Sequence, residues 1–397
     1  MATFKCRICG NDNATACFSI LEAELPLAAD VTAQPSRDMK RFPMHVLRCG
    51  RCGHVQLAET LDATFYGTYL YTPSYASGFV KYIEAFARRL SIALDKPNRT
   101  AIEIGSANGF LLKQLQQRGW KVLGIEPSVA LSERANLDNI PTYNGYFSEE
   151  TVGEIKKRMD HPDVLVVRHV MEHLDHLDAI VGAIKNILGK GLLLVEVPYL
   201  KRIVLENQFY AFFHEHLSYY SVTALANLLA RHGMYIHKVF ENELEGGSIL
   251  IAANSSNIAS EDDNVKQYLD DEVNSLSSDK IQAFADAVSS NIDCMKRLIA
   301  KAHASGKKVA AWGAGQRGCT LISLCGFQSE DLAYVVDVNK NYWNRFVPGT
   351  DIRIVSCDYC HQHPVDIILI FATGYADSII AENSRLLDEG VEFAKIL

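Results

Sequence analysis

Apolar positions change their spacing several times along the chain, and those changes divide it. From about Tyr82 to Asn254, short apolar runs alternate with stretches whose apolar residues recur every three or four positions. The runs Ala101–Gly105, Lys121–Glu126, Val164–His169, Leu192–Val197, Tyr235–Phe240 and Ser248–Asn254 read as strands, and the stretches between them as helices. Strands that alternate with helices lie side by side under helical cover, so this segment is predicted to be α/β with a mostly parallel sheet. From about Ser260 to Ala304, spaced Val, Leu, Ile and Phe sit among Asp, Glu, Lys and Ser, which predicts one or two amphipathic helices with a solvated face. The alternation then restarts with Lys308–Trp312, Ala333–Asp337 and Val365–Ala372 as strands and a helix from about Arg317, predicting a second doubly wound domain.

The first 70 or so residues have no such rhythm. They carry turn signals at Pro26, Pro35 and Pro43 and five of the ten cysteines, as expected of a small module that needs a staple. Cys6-Arg7-Ile8-Cys9-Gly10 and Cys49-Gly50-Arg51-Cys52-Gly53 are two C-x-x-C knuckles, each followed by a glycine that lets backbone amides turn toward thiolate sulfurs. Four thiolates, from Cys6, Cys9, Cys49 and Cys52, suit tetrahedral Zn²⁺. A redox dithiol is the alternative, against which stands the lack of a thioredoxin-like surround. Cys17 reads as a small buried hydrophobe. Cys357 and Cys360 form a third C-x-x-C, followed by His361 and His363, with no matching second pair. The expected division is 1–72 for the zinc module, 73–256 for the first α/β domain, and 257–397 for the connector and the second.

Composition narrows the function classes. The chain has 397 residues, 48% hydrophobic and 22% charged, which excludes disorder, collagen and coiled coil. Its 39 basic and 47 acidic residues give a net charge of −8 without a basic footprint, so nucleic acid is not an expected partner. No apolar run approaches the roughly 20 residues of a membrane span. The opening residues lack a charged-then-apolar layout and the cysteines form knuckles, so a reducing cytoplasm is the expected compartment. No obligate protein partner is implied.

The segment Ala101-Ile102-Glu103-Ile104-Gly105-Ser106-Ala107-Asn108-Gly109 is a buried strand, a glycine turn and a helix start, the build of a cofactor loop. Gly105 lets backbone approach a ligand, Gly109 lets the helix pack, and Glu103 is an acid inside an apolar strand. Glu126, followed by Pro127, ends the second strand, where a carboxylate can accept both hydroxyls of a ribose. NAD and S-adenosylmethionine sites share this logic. The spacing E-x-G-x-x-x-G and the final antiparallel strand pair favour S-adenosylmethionine and the class I methyltransferase pattern. Tyr146 and Phe147, after the third strand, would flank the adenine; Arg168, His169 and Glu172, after the fourth, would lie near the methionine part. Each also reads as a plain loop or capping residue.

Phe212-Phe213-His214-Glu215-His216-Leu217-Ser218-Tyr219-Tyr220 follows the fifth strand, at the carboxyl edge where ligands of parallel sheets bind. Titratable groups set among aromatic rings can be tuned to move protons, which makes His216 the candidate general base and Glu215 its orienting partner. A metal held by His214 and His216, or a helix cap with core histidines, are the other readings.

In their order, these motifs resemble the three-domain sugar C-methyltransferases of bacterial deoxysugar pathways. The likeness runs through both zinc knuckles, Glu103-Ile104-Gly105-Ser106, Gly124-Ile125-Glu126-Pro127, Val195-Glu196-Val197-Pro198-Tyr199, His214-Glu215-His216, Gly246-Gly247-Ser248, Trp312-Gly313-Ala314-Gly315-Gln316-Arg317-Gly318 and Pro348-Gly349-Thr350. The resemblance implies zinc, S-adenosylmethionine, and methylation of the carbon beside the ketone of a nucleotide-diphosphate-linked keto-deoxysugar. It makes His216 the base that forms an enolate and Glu215 its partner. It places His214, Tyr69, Tyr71 and Tyr75 toward the substrate, and puts Gly313, Gly315, Gln316 and Arg317 at the substrate's nucleotide. The family has Tyr immediately before its H-E-H run, where this chain has Phe213, so Tyr210, Tyr219 or Tyr220 would have to supply the missing hydroxyl. The chain also departs at Ser106-Ala107-Asn108, at the residue after Gly246-Gly247-Ser248, and at Arg317 in place of Lys. Competing readings are a methyltransferase for a non-sugar carbon acid, oxygen or nitrogen, a nucleotide-sugar-binding scaffold without catalysis, and an NAD-dependent oxidoreductase using Gly313-x-Gly315-x-x-Gly318 with Asp337.

Overall fold

The computed structural model describes residues 4–12, 18–29, 31–60, 77–243, 246–256 and 264–396. Three sheets organise them. Strands are numbered along the chain: β1 (Phe18–Leu25), β2 (Phe42–Arg48), β3 (Val55–Leu57), β4 (Thr100–Ile104), β5 (Lys121–Glu126), β6 (Thr142–Asn144), β7 (Val164–Arg168), β8 (Leu192–Pro198), β9 (Ser218–Tyr219), β10 (Tyr235–Asn242) and β11 (Ser248–Asn254). The series continues with β12 (Val309–Trp312), β13 (Val335–Val336), β14 (Ile354–Val355), β15 (Ile367–Ile370) and β16 (Glu392–Lys395).

The central sheet has the order β10-β11-β8-β7-β4-β5-β6. Its strands from β8 to β6 run parallel, while β11 is antiparallel to both β8 and β10. This is the class I methyltransferase topology, and the expected final antiparallel pair is present. Strands β4, β7 and β8 are apolar on both faces because helices cover both, and so they read as continuous runs in the sequence. The third sheet, β14-β13-β12-β15-β16, is wholly parallel, with its order reversing at β12. It is the second doubly wound, Rossmann-like unit.

The connector forms two helices, Val265–Ser275 and Ser278–Ala304. The first is locked down by Glu272, buried, which accepts from the backbone amides of Val222 and Thr223 at 2.7 and 2.8 Å and from the Tyr199 hydroxyl at 2.8 Å. The second packs on β1 and on the helix Gln316–Cys325.

The small sheet, β1-β2-β3-β9, is antiparallel, and its last strand comes from the middle of the chain. Val55 faces Tyr219 and Gln56 faces Ser218 across that pairing. Arg7, between two knuckle cysteines, bonds Asp175 at 2.6 Å and the Leu217 carbonyl at 3.3 Å. The knuckles are thereby tied to the segment carrying His214-Glu215-His216. On its other side the module meets the third sheet, where Ser36 donates from its amide to Thr350 and accepts from Gly349 through its hydroxyl. Among the described residues no helix is long and apolar enough to cross a membrane.

Candidate functional site

The carboxyl edges of the two parallel sheets face one cavity of about 390 Å³. The central sheet contributes Gly105, Ser106 and Asn108 from the loop after β4, Glu126 and Pro127 at the end of β5, Tyr146 and Phe147 after β6, and Arg168, His169 and Glu172 after β7. The third sheet contributes Gly313, Gly315, Gln316 and Arg317 after β12. Glu103 and His216 also line it. Gly109 does not: it caps the helix Phe110–Gln116 at φ +76°, and a Cβ there would sit 2.9 Å from Ile140 Cγ2, so its role is packing. Gly105, at φ +68°, leaves a Cβ only 2.3 Å from Val170 Cγ2, so the turn admits no side chain. In the other loop, a Cβ on Gly318 would meet the Gly313 carbonyl at 2.1 Å, which is why the second helix can start so close to its strand.

The acids in this cavity are held differently. Glu126 is fixed by two amides, Ala107 donating to Oε2 and Ser128 to Oε1, both at 2.8 Å. Glu103 Oε2 is buried with no hydrogen-bond partner among the described residues. Burial, opposed by Arg168 and reinforced by Glu126, pushes the Glu103 carboxyl up to about 8. Arg168 is buried too, and its charge is matched by an ion pair with Glu196. Glu196 also accepts from the Tyr82 hydroxyl and the Asn242 amide, each at 2.7 Å.

His216 sits against the Phe213 ring at 4.1 Å between centroids and meets the His173 ring edge-on at 4.9 Å. Desolvation, with the charges of His173, Arg317 and His169 adding to it, holds its imidazole well below the usual histidine range, so it is neutral. His173 donates from Nδ1 to the Glu215 carbonyl at 2.6 Å, which leaves Nε2 as its acceptor. Glu172 is 1% exposed, and neither of its oxygens has a hydrogen-bond partner among the described residues. Ligating atoms of Glu172, His173 and His216 lie within 4.8 Å of one another.

Four expected members of the site lie elsewhere. The Glu215 carboxylate accepts from the Ala29 amide at 3.1 Å and does not line the cavity, so the group beside His216 is His173, not Glu215. His214 turns the other way, its Nε2 on the carbonyls of Phe42 and Pro43 at 3.2 and 3.1 Å, and is positioned neither for substrate nor for a metal shared with His216. Tyr219 accepts from the Phe213 amide at 3.1 Å, and Tyr220 donates to the Met171 carbonyl at 3.0 Å; both are buried behind the site. His214 and Glu215 lie in a turn, closed by the His216 amide donating to the Phe213 carbonyl at 3.0 Å, so successive side chains leave the chain in different directions and adjacency to His216 carried no directional information. Tyr69, Tyr71 and Tyr75 lie outside the described residues, as does Cys17.

Conversely, the cavity holds His173, Asn339 and Tyr342, which the sequence did not single out. Glu196 did carry a signal, an acid in the apolar run Leu192–Pro198, the same one that marked Glu103.

The knuckles come together. Cys6 and Cys52 sulfurs are 3.5 Å apart and those of Cys9 and Cys49 3.7 Å, with all four within 4.8 Å of one another. Tetrahedral sulfurs at a Zn–S distance of about 2.3 Å are separated by about 3.8 Å, so these residues fit zinc. The Cys9 amide points at the Cys6 sulfur at 3.5 Å, as the glycine turns led us to expect. Cys360 is buried and Cys357 half-buried; burial pushes both thiols up to about 11, which marks them as inert packing groups.

Three family models match successive stretches of the chain. A family model described as a putative zinc binding domain matches residues 6–64, one described as a methyltransferase domain matches 77–239, and one described as a C-methyltransferase C-terminal domain matches 243–397. The C-methyltransferase NovU of Streptomyces niveus is 27% identical over 403 residues, 98% of this chain and 94% of its own. An uncharacterized methyltransferase of Alkaliphilus oremlandii (strain OhILAs) is 30% identical over 122 residues, 30% of this chain and 52% of its own. Among solved structures, magnesium protoporphyrin IX methyltransferase from Synechocystis PCC 6803 with bound SAH overlays with a TM-score of 0.38 at 15% identity, covering 49% of this chain and 92% of that one.

Proposed function

We propose an acceptor for this chain, which belongs to the three-domain, zinc-containing S-adenosylmethionine-dependent C-methyltransferases: a nucleotide-diphosphate-linked keto-deoxysugar, methylated on the carbon beside its ketone. The observation that carries the reading is the single cavity shared by both glycine loops, with His216 lining it as well. A cofactor on the Glu126 side and a nucleotide on the Arg317 side would meet in that space. NovU, matched over nearly the whole chain, is named for carbon methylation.

S-adenosylmethionine supplies an electrophilic methyl group. Glu126 would take its ribose hydroxyls, Tyr146 and Phe147 would flank its adenine, and Glu103, Arg168 and His169 would lie along its methionine part. The buried Glu103 Oε2, with no hydrogen-bond partner among the described residues, fits a cationic ligand. His216, neutral and next to the cavity, removes the proton from the carbon beside the ketone. A depressed imidazole resists becoming charged, and the Glu172 carboxylate, close by and 3.5 Å from His169 Nδ1, lowers that cost once the proton has moved. An enolate formed in this way would offer its carbon as the nucleophile for the methyl group that S-adenosylmethionine supplies when bound. Arg317, whose Nη2 is buried without a partner, would hold the diphosphate.

The test is mass spectrometry of reactions with S-adenosylmethionine and a panel of nucleotide-linked 4-keto-deoxysugars in heavy water. Product heavier by one methyl, with deuterium entering recovered substrate in the wild type and not in His216→Asn, is the expected result. Methyl on oxygen, or deuterium exchange that persists in His216→Asn, would sink it.

A further inference from the structure

Two units of the fold meet at one arginine. Arg317 lies in the first turn of the helix Gln316–Cys325, and its Nη1 donates at 2.6 Å to Oε1 of Gln208, 109 positions earlier in the chain. Gln208 leads into the single turn Phe209–Ala211, on which that helix packs, and His216 follows shortly after. The side chain that meets the arginine therefore comes from the segment that carries the base.

Gln208 is 3% exposed, and its amide has one orientation open to it. Nε2 donates to the Gly246 carbonyl and to Glu206 Oε2, both at 2.7 Å. A carbonyl and a carboxylate only accept, so the nitrogen has to face them and the oxygen has to face Arg317. The backbone is pinned as well: the Gln208 amide donates to the Ile203 carbonyl at 2.9 Å, and its carbonyl accepts from Ala211 at 2.8 Å. The junction needs a bare glycine, since at Gly246, with φ +72°, a Cβ would stand 2.2 Å from Arg317 Nη1 and 2.9 Å from Gln208 Oε1.

A neutral amide holds a guanidinium without cancelling its charge, and Glu206, behind Gln208, is paired with Arg202. Nη2 of the same planar group is buried with no hydrogen-bond partner among the described residues, which fits an anionic ligand. Arg317 and Gly246 both line the cavity.

We propose that Gln208 is a positioning residue for the acceptor: by holding Nη1 it turns the Arg317 guanidinium so that Nη2 faces an anionic group of the substrate. The proposal rests on the reading of Arg317 as the diphosphate's partner and adds the side chain, from outside the third sheet's unit, that sets the arginine's direction. Fixing one edge of the guanidinium in advance removes rotamer freedom that the acceptor would otherwise have to freeze out.

The experiment is a double-mutant cycle on the full-length, zinc-loaded protein saturated with S-adenosylhomocysteine, read by calorimetric binding of the tightest of UDP, GDP, CDP and TDP. Gln208→Ala should weaken that nucleotide about 10-fold and Arg317→Ala about 10- to 100-fold, the range for hydrogen bonds to a charged group. In the double variant the loss should match that of Arg317→Ala alone within about twofold, because Gln208 acts through the arginine. S-adenosylhomocysteine affinity should be unchanged in all of them. If Gln208→Ala does not fold, the cycle is run with Gln208→Glu, whose carboxylate would cancel the guanidinium's charge, and the same non-additive loss is expected. No loss in the Gln208 variant, or losses that multiply in the double variant, would make Gln208 a mere support of the Gly246 turn and overturn the proposal while the nucleotide reading stands. An Arg317→Ala variant that binds as tightly as wild type, or a wild type that binds none of the four, removes the diphosphate reading and the proposal with it.

Discussion

Arg168, which lines the cavity, pairs with Glu196 across neighbouring strands β7 and β8, both side chains buried. Burial alone would raise the Glu196 carboxyl, but the Arg168 guanidinium outweighs it and holds it below the usual range. Stability from that shift is present at neutral pH and is lost as pH falls through the lowered value. Glu196→Ala leaves a buried cation unmatched, and we expect a loss of about 3–5 kcal/mol in urea unfolding. Glu196→Gln, which can keep the Tyr82 and Asn242 contacts, should lose less. Equal, small losses in both would show the pair to be dispensable.

His216→Asn should reduce methyl transfer by about 10²- to 10⁴-fold, the usual worth of a general base, with cofactor affinity unchanged. Because desolvation holds its imidazole well below the usual histidine range, the base form persists into acid. The rate should therefore stay level from neutrality to below pH 6.5 and fall only beyond that. An acid limb centred at 6.5 or above would contradict the burial described here.

Glu103 gives the cofactor's affinity its own pH dependence. With a carboxyl at about 8 it is mostly protonated at pH 7, and a cationic ligand binds best to the ionised form. S-adenosylmethionine affinity should rise between about pH 6 and 8, with proton release detectable by calorimetry in buffers of different ionisation enthalpy. In Glu103→Gln the rise and the proton release should both disappear.

Zinc should matter beyond its own module. Cys49→Ser removes one of four thiolates, and we expect loss of bound zinc by elemental analysis and a lower thermal midpoint. Since β9 pairs with β3, His216 should lose its placement and methyl transfer should fall, while S-adenosylmethionine still binds the central sheet. Full activity in a zinc-free preparation would refute that coupling.

The glycine loops, the acid ending β5 and the zinc knuckles were legible because each is made within a few consecutive residues. So was the strand-and-helix alternation of the central sheet, which is local. His173 was not, since nothing in Met171-Glu172-His173 says that its ring meets one 43 positions later. The strands β1, β2 and β3 were missed; β1 packs on the distant helix Ser278–Ala304, a contact that no local period reports. His214, Tyr219 and Tyr220 were drawn into the site by neighbourhood in the chain, and the structure turns them toward backbone carbonyls and amides instead.

The strand Ser218–Tyr219 makes the amino-terminal module a borrowed structure, completed by the segment that carries the base. It is therefore not a portable cassette. A chimera that exchanges residues 4–60 for those of a relative must bring residues 214–220 from the same parent, and two fragments cut between them would have to reassociate before either could work.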